Sequence, residues 1–310
     1  MKISVVVPVY GCPEALQPLC SRVIATVNRI GCEYEIILVN DGCPRGSWGI
    51  IEKLCETNNK IIGVNLSRNF GQINATNAGL ELSTGDYVVL MDCDLQDPPE
   101  AIEDLFLEIS KGYDIVFAAR KDRKDKGIVK ATSRLFYKIY NHSVEGHFDP
   151  DIANYCMVRR YIVDMYCQIP EHDKAYTVLL SWMGFKTSTL SIVGEERAEG
   201  KSSYNLGKKI NMAIDMLTSQ SNKPLISLVK IGAVIDVIAV VYLVVQLAIF
   251  FVEGDTPSGW MSLTAIVILL GGIQLMALGV IGIYIGKMFN ELKNRQPYYI
   301  QEIINQDRND

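Results

Sequence analysis

Two carboxylates spaced i, i+2, Asp92 and Asp94 around Cys93, follow directly on the apolar run Tyr87-Val88-Val89-Leu90-Met91. A run of β-branched and aromatic residues reads as a buried strand, and acidic side chains at its C-terminal mouth sit where open α/β sheets bind ligands. Two hard oxygen donors there suit Mg2+ or Mn2+ bridged to phosphate oxygens. The same residues also fit a solvated acidic turn capping the next helix, because Asp97-Pro98-Pro99-Glu100 follows.

The elements that must position this pair are legible around it. Strand-like runs recur at Ile3–Val9, Tyr34–Val39, Ile61–Leu66, Tyr87–Met91 and Asp114–Ala118. Helix-like stretches near Pro13–Arg29, Trp48–Thr57, Gln72–Leu82 and Pro99–Ser110 separate them. This alternation predicts an α/β, doubly wound domain of parallel strands with helices on both faces. Polar blocks then collect at the carboxyl ends of the first four strands: Pro8-Val9-Tyr10, Asn40-Asp41-Gly42, Ser67-Arg68-Asn69-Phe70-Gly71-Gln72 and Asp92 to Glu100.

Farther along, the 49% hydrophobic content is unevenly spread. Leu228 to Phe251 holds only Lys230 and Asp236 as charges, and Ser262 to Gly286 holds none. At about 1.5 Å per residue each stretch can cross a hydrocarbon core of roughly 30 Å, so two transmembrane helices are expected. Lys201, Lys208, Lys209 and Lys223 precede the first span and Lys230 stands in its first turn, and Lys287, Lys293 and Arg295 follow the second, whereas Glu253-Gly254-Asp255 between them has no positive charge. The positive-inside tendency places both termini and the N-terminal domain in the cytoplasm. Apolar residues at helical spacing from Asn205 to Thr218, with Lys208 and Lys209 opposite, fit an amphipathic juxtamembrane helix or an ordinary core helix. The expected divisions are thus 1–204 for the soluble domain, 205–224 for the amphipathic helix, 225–290 for the hairpin and 291–310 for a cytoplasmic tail.

All eight cysteines lie between Cys12 and Cys167, with no CxxC pair and no His/Cys cluster at zinc spacing. That pattern predicts free thiols in a reducing cytosol rather than disulfides. No secretory signal is expected, since Ile3-Ser4-Val5-Val6-Val7 is too short for its apolar core. A net charge of -5 without a basic stripe argues against nucleic acid as a partner. Small residues at Gly271-Gly272, Gly279 and Gly282 offer close-packing surfaces for a homo-oligomer.

The four strand-end blocks together resemble the family 2 glycosyltransferases of the GT-A fold, and within them the membrane-bound polyprenyl-phosphate glycosyltransferases such as dolichyl-phosphate mannose synthases and bactoprenol glucosyltransferases. The Ser-Arg-Asn-Phe-Gly and Asp-x-Asp-Leu-Gln-Asp-Pro-Pro-Glu blocks are its most specific parts, and the likeness covers nearly the whole chain. The resemblance implies that Pro8, Tyr10, Asp41 and Arg68 bind the nucleotide sugar, and that Asp92, Asp94 and Gln96 hold Mg2+ or Mn2+ and the diphosphate. An Asp accepting from a base N–H while an aromatic packs on the ring is sensible for uracil or guanine; Asp41-Gly42 is also an ordinary tight turn. Arg197-Ala198-Glu199-Gly200-Lys201-Ser202 resembles the family's Arg-x-x-Gly-x-Ser segment, which makes Arg197 and Lys201 ligands for an acceptor phosphate or part of a basic collar at the membrane.

One stretch departs from the family. A Gly-Asp-Phe-Arg-like block, the source of a sugar-contacting or catalytic acid, aligns with Asp149 to Arg159 so that Ala153 stands where the acid would be, with Asp151 two positions earlier. A phosphate acceptor softens that loss. Its second pKa is about 6, so it attacks an anomeric carbon without surrendering a proton to the enzyme.

The resemblance therefore implies metal-dependent, inverting transfer of a sugar, from a UDP-sugar by preference, to undecaprenyl phosphate at the inner leaflet of a bacterial cytoplasmic membrane. Asp94, Asp151 and Arg197 are its candidate catalytic residues. Transfer to another membrane glycolipid or polysaccharide, and a silent scaffold with a glycosyltransferase-like domain, are the competing readings. Polymerising relatives carry Gln-x-x-Arg-Trp, and Leu180-Ser181-Trp182 lacks it. A dinucleotide oxidoreductase would need GxGxxG after the first strand, where Pro8-Val9-Tyr10-Gly11-Cys12-Pro13 stands instead.

Overall fold

The computed structural model describes residues 1–120, 152–171, 174–194, 223–253, 259–293 and 295–306. They fall into two units, one made of 1–120, 152–194 and 295–306, the other of 223–293. In the first unit β1 (Lys2–Val9), β2 (Glu33–Asn40), β3 (Ile61–Leu66) and β4 (Tyr87–Leu90) alternate with α1 (Leu16–Ile30), α2 (Ser47–Thr57), α3 (Gln72–Leu82) and α4 (Ala101–Ile109). Then come β5 (Ile115–Arg120), β6 (Ile152–Arg159), α5 (Arg160–Cys167), α6 (Tyr176–Trp182) and β7 (Thr187–Ile192). Every strand and helix expected up to Arg120 is present, with ends within three residues; the largest difference is α1, whose first expected turn, Pro13–Ala15, is a 3-10 turn.

The eight strands form one sheet in the order β7-β5-β6-β4-β1-β2-β3-β8, where β8 is Ile300–Ile304. β1 pairs in parallel with β2 on one side and β4 on the other, so the chain reverses its direction of travel across the sheet between β1 and β4. β6 runs antiparallel between β4 and β5, and β8 runs antiparallel along β3. β8 comes from the segment read as a tail, which the sheet instead uses to cover its β3 edge.

The strands are apolar on both faces, as a sheet covered by helices on each side requires. Val5, Val7, Ile36, Leu38 and Val89 pack under α1, α2 and α4, while Val6, Ile37, Val39, Val88 and Leu90 pack under α3, α5 and α6. α3 lies so close to β1 that a Cβ on Gly79 would run into the Val6 and Val39 side chains.

At the N-terminal edge, opposite the carboxylate pair, Glu35 is buried and gathers four groups: Lys2 Nζ at 2.6 Å, Ser4 Oγ at 2.5 Å, the Thr84 N–H at 2.7 Å and the Thr84 hydroxyl at 3.0 Å. Burial alone would push its carboxyl up, but the bonds from Lys2, Ser4 and Thr84 hold it below the ordinary carboxylate range. A folded-state pKa below the unfolded one contributes stability that is present above the unfolded value and lost as pH falls through the folded one. Glu35→Gln is therefore expected to lower the melting temperature at neutral pH and to flatten the acid limb of the stability curve; thermal melts between pH 3 and 7 check both.

In the second unit α7 (Lys223–Glu253) and α8 (Trp260–Leu292) are the two long helices. Within α8, Leu270–Phe289 has a mean hydropathy of 1.5 and none of it is buried, so it is long and apolar enough to cross a membrane. Among the described residues it is the only stretch that qualifies, and it lies several residues later than the expected 262–286. The expected span at 228–251 lies in α7, whose Val229, Val237, Ile238, Val241 and Val244 are exposed. The amphipathic segment at Asn205 to Thr218 lies outside the described residues.

Candidate active site

Because β1 to β4 run in parallel, the four polar blocks emerge on one edge of the sheet. The turn after β4 carries the acidic pair. Asp92, Asp94 and Gln96 are half-buried, whereas Cys93 and Leu95 between them and Asp97 after them are buried. Leu95 sits at φ 60°, a left-handed conformation that costs a side-chain-bearing residue about 1–2 kcal/mol. Backbone strain of this kind concentrates at functional turns. The Gln96 N–H donates to Asp94 Oδ1 at 3.1 Å, and Gln72, the first residue of α3, donates its amide to Asp92 Oδ1 at 2.6 Å. Asp97 is buried four residues ahead of α4, and Glu100, directly before that helix, makes no capping bond with its side chain.

On the other lip of the crevice, Pro8 is half-buried in β1 and Tyr10 is 54% exposed. The Gly11 N–H donates to Cys43 Sγ at 3.2 Å, and Arg45 Nη1 donates to the Gly11 carbonyl at 2.8 Å, which ties this loop to the one after β2. Cys12 is bonded to Cys93 as a disulfide, contrary to the expectation of free thiols throughout. The reason is topological: the ends of β1 and β4 are neighbours in the sheet, which brings the two Cα atoms to 6.4 Å despite 81 residues of separation. The other six cysteines are free.

Directly after β2, Asp41 is held against the loop that follows β3. It is 2% exposed, and its Oδ1 and Oδ2 accept the Phe70 N–H at 2.7 Å and the Gly71 N–H at 3.0 Å. Asn69 Nδ2 adds a bond to the Asp41 carbonyl at 3.1 Å. Burial pushes the Asp41 carboxyl up, and the two backbone N–H groups and the Arg68 charge draw it partly back. Next to it Gly42, at φ 59°, lets the β3 loop come close: a Cβ there would stand 2.5 Å from the Asn69 nitrogen. The clamped loop presents Arg68, whose guanidinium lies 4.0 Å over the Phe70 ring and donates to the Asn69 carbonyl at 3.0 Å. Each oxygen of Asp41 keeps a further lone pair.

Sequence reasoning missed the brace behind this loop. The Ser67 N–H donates to the Tyr299 carbonyl at 3.0 Å, Tyr298 donates its hydroxyl to Glu81 Oε2 at 2.5 Å, and Phe70 meets Tyr299 with ring centroids 6.5 Å apart. The two tyrosines before the apolar Ile300-Gln301-Glu302-Ile303-Ile304 run were the available signal.

Asp151, Arg197 and Lys201 lie outside the described residues; Ala153 falls within β6. Among the described residues no three His, Cys, Asp or Glu side chains converge as metal ligands. Two carboxylates and an amide, half-buried in one turn, nevertheless offer the hard oxygen donors that would suit a divalent cation, with phosphate oxygens and water completing its shell.

The arrangement is a mixed α/β, GT-A-like fold with an acidic turn at its switch point. A solved mannosyltransferase from Pyrobaculum calidifontis, in complex with GDP-Man and Mn2+, shares this fold at a TM-score of 0.50 and 14% identity, over 95% of this chain and 88% of that one. Residues 4–166 match the model of glycosyl transferase family 2, and the chain belongs to that family. Curated relatives match along almost their whole length. A prophage bactoprenol glucosyl transferase homolog of Escherichia coli is 33% identical over 98% of this chain and 99% of its own. An undecaprenyl-phosphate 4-deoxy-4-formamido-L-arabinose transferase of Aeromonas hydrophila is 34% identical over 97% and 94%.

Proposed function

We propose that this glycosyltransferase moves a sugar from a nucleotide sugar, by preference a UDP-sugar, to polyprenyl phosphate at the cytoplasmic face of a membrane, leaving a lipid-linked monosaccharide. The observation that carries the reading is the strained turn after β4, with Asp92, Asp94 and Gln96 half-buried in it and Tyr10 on the facing lip. Near full-length likeness to relatives named for bactoprenol and undecaprenyl phosphate supports the acceptor.

In this reading Tyr10 packs on the base, Arg68 meets the diphosphate, and Asp41 acts chiefly by holding the loop that carries Arg68 and Gln72. Asp92, Asp94 and Gln96 hold Mg2+ or Mn2+, which neutralises charge gathering on the departing nucleoside diphosphate. Arg197 and Lys201 bind the acceptor phosphate, whose ionised oxygen attacks the anomeric carbon in a single inverting displacement. Asp151 is the remaining candidate to contact the sugar.

α7 and α8 form a two-span hairpin, supported by their lengths of 31 and 33 residues and their exposed apolar side chains, with Lys223, Lys230, Lys287 and Lys293 toward the cytoplasm. The domain divisions, a bacterial inner-membrane location and self-association through the glycines of α8 belong to the same reading.

Incubating the purified protein with radiolabelled nucleotide sugars and undecaprenyl phosphate, with and without Mn2+, tests it. Label should enter the lipid phase from one donor and only with the cation; label reaching only a different acceptor would overturn it. Gln72→Ala is expected to weaken Mn2+ binding in the presence of UDP by about tenfold, the worth of one hydrogen bond to a charged group, without changing the melting temperature. Titration followed by Mn2+ electron paramagnetic resonance reads it.

A further inference from the structure

The last ladder bond between β1 and β4 runs from the Met91 N–H to the Val6 carbonyl at 3.2 Å. Beyond it β1 continues beside β2 to Val9 while β4 turns away, and the crevice opens between Tyr10–Cys12 on one lip and Asp92–Asp94 on the other. The Cys12–Cys93 bond crosses that opening, and Cys93 lies between the two carboxylates of the turn. No other pair among the described cysteines is joined.

We propose that Cys12 and Cys93 are a redox modification site: oxidation by a peroxide or a low-molecular-weight disulfide joins them across the donor crevice and slows nucleotide exchange. Disulfides in reducing compartments are uncommon and are usually redox-sensing when present, so the dithiol is the working form and the bridge the oxidised one. The two thiols lose two electrons and two protons as the S–S bond forms. A peroxide accepts them as its O–O bond breaks to give two waters, or a disulfide accepts them to give two thiols.

A nucleotide must enter, and the nucleoside diphosphate must leave, between the lips that the bond ties together. Loop opening of this kind often limits turnover. Burial pushes the thiols of Cys20 and Cys156 up to about 12 and those of Cys55 and Cys167 up to about 11, which favours their protonated form; Cys32, a half-buried free thiol, lies just before β2 at the other edge of the sheet. The neighbouring thiol on the crevice edge is Cys43, which the Gly11 N–H and the Ser47 hydroxyl engage at 3.2 and 3.1 Å.

The locking rests on the donor reading above, so two readouts are kept separate. Full-length protein is treated with diamide or hydrogen peroxide, digested without reductant and mapped by mass spectrometry, and release of a fluorescent UDP analogue is followed with Mn2+ present. The expected result is a Cys12–Cys93 cross-linked peptide, release slowed about fivefold or more as lip opening becomes limiting, full recovery with dithiothreitol, and no response to oxidant in Cys12→Ser or Cys12→Ala. Absence of that cross-link, or a bridge to Cys43 in its place, overturns the pair as a modification site whether or not nucleotide binds. A complete cross-link with unchanged release overturns the lock. Failure of the reduced protein to bind the analogue overturns the donor reading and the lock with it, while the cross-link map still decides the modification site.

Discussion

Asp94→Ala is expected to lower sugar transfer by about three orders of magnitude, the loss of roughly 4 kcal/mol of leaving-group stabilisation. The fold should survive. Asp94 is a half-buried residue of a turn that lies outside the buried core, and it accepts the Gln96 N–H within that turn. The melting temperature should therefore stay within a few degrees of the parent, and the loss should appear in turnover and in the Mn2+ requirement together. Steady-state kinetics with a Mn2+ titration, run beside a thermal melt, separates this outcome from unfolding; near-parental turnover at saturating Mn2+ would detach Asp94 from the reaction.

Asp41→Ala should be nearly as damaging by a different route. It leaves the half-buried Phe70 and Gly71 N–H groups without their carboxylate acceptor, which costs at most about 1–3 kcal/mol for each group. It also frees the loop that sets Arg68 and Gln72, and a misplacement of about 1 Å can cost roughly a hundredfold in rate. Donor kcat/KM should thus fall about a hundredfold and the melting temperature should fall too. Asp41→Asn, which keeps one acceptor oxygen, should recover part of both.

The pH response gives a further check on this residue. Asp41 has its folded-state pKa raised by burial, so the folded protein binds that proton more tightly than the unfolded chain. Its contribution to stability is therefore fully present below the unfolded value and is lost as pH rises through the raised folded one. Removing it should relieve that dependence, in the opposite sense to Glu35.

The central strands were legible because Ile3 to Val9, Glu33 to Asn40 and Tyr87 to Leu90 are apolar on both faces, and that pattern is local. β7 was not, since Thr187-Ser188-Thr189-Leu190-Ser191-Ile192 is a half-exposed polar run that becomes a strand only by pairing with β5. β8 depends in the same way on the free edge of β3. The acidic turn could be located from its strand, but its working parts are long-range. Gln72 reaches Asp92 across 20 residues, Asp41 holds a loop about 30 residues on, and Cys12 meets Cys93 across 81. Spacing along the chain carries no trace of such pairings until the order of β1 and β4 in the sheet is known.

Electron paramagnetic resonance of Mn2+ titrated into the full-length protein with UDP tests the metal-diphosphate assignment most directly. The expected result is immobilised Mn2+ that requires UDP, weakened in Gln72→Ala and lost in Asp94→Ala. Equal UDP-dependent immobilisation in the parent and in Asp94→Ala would contradict it.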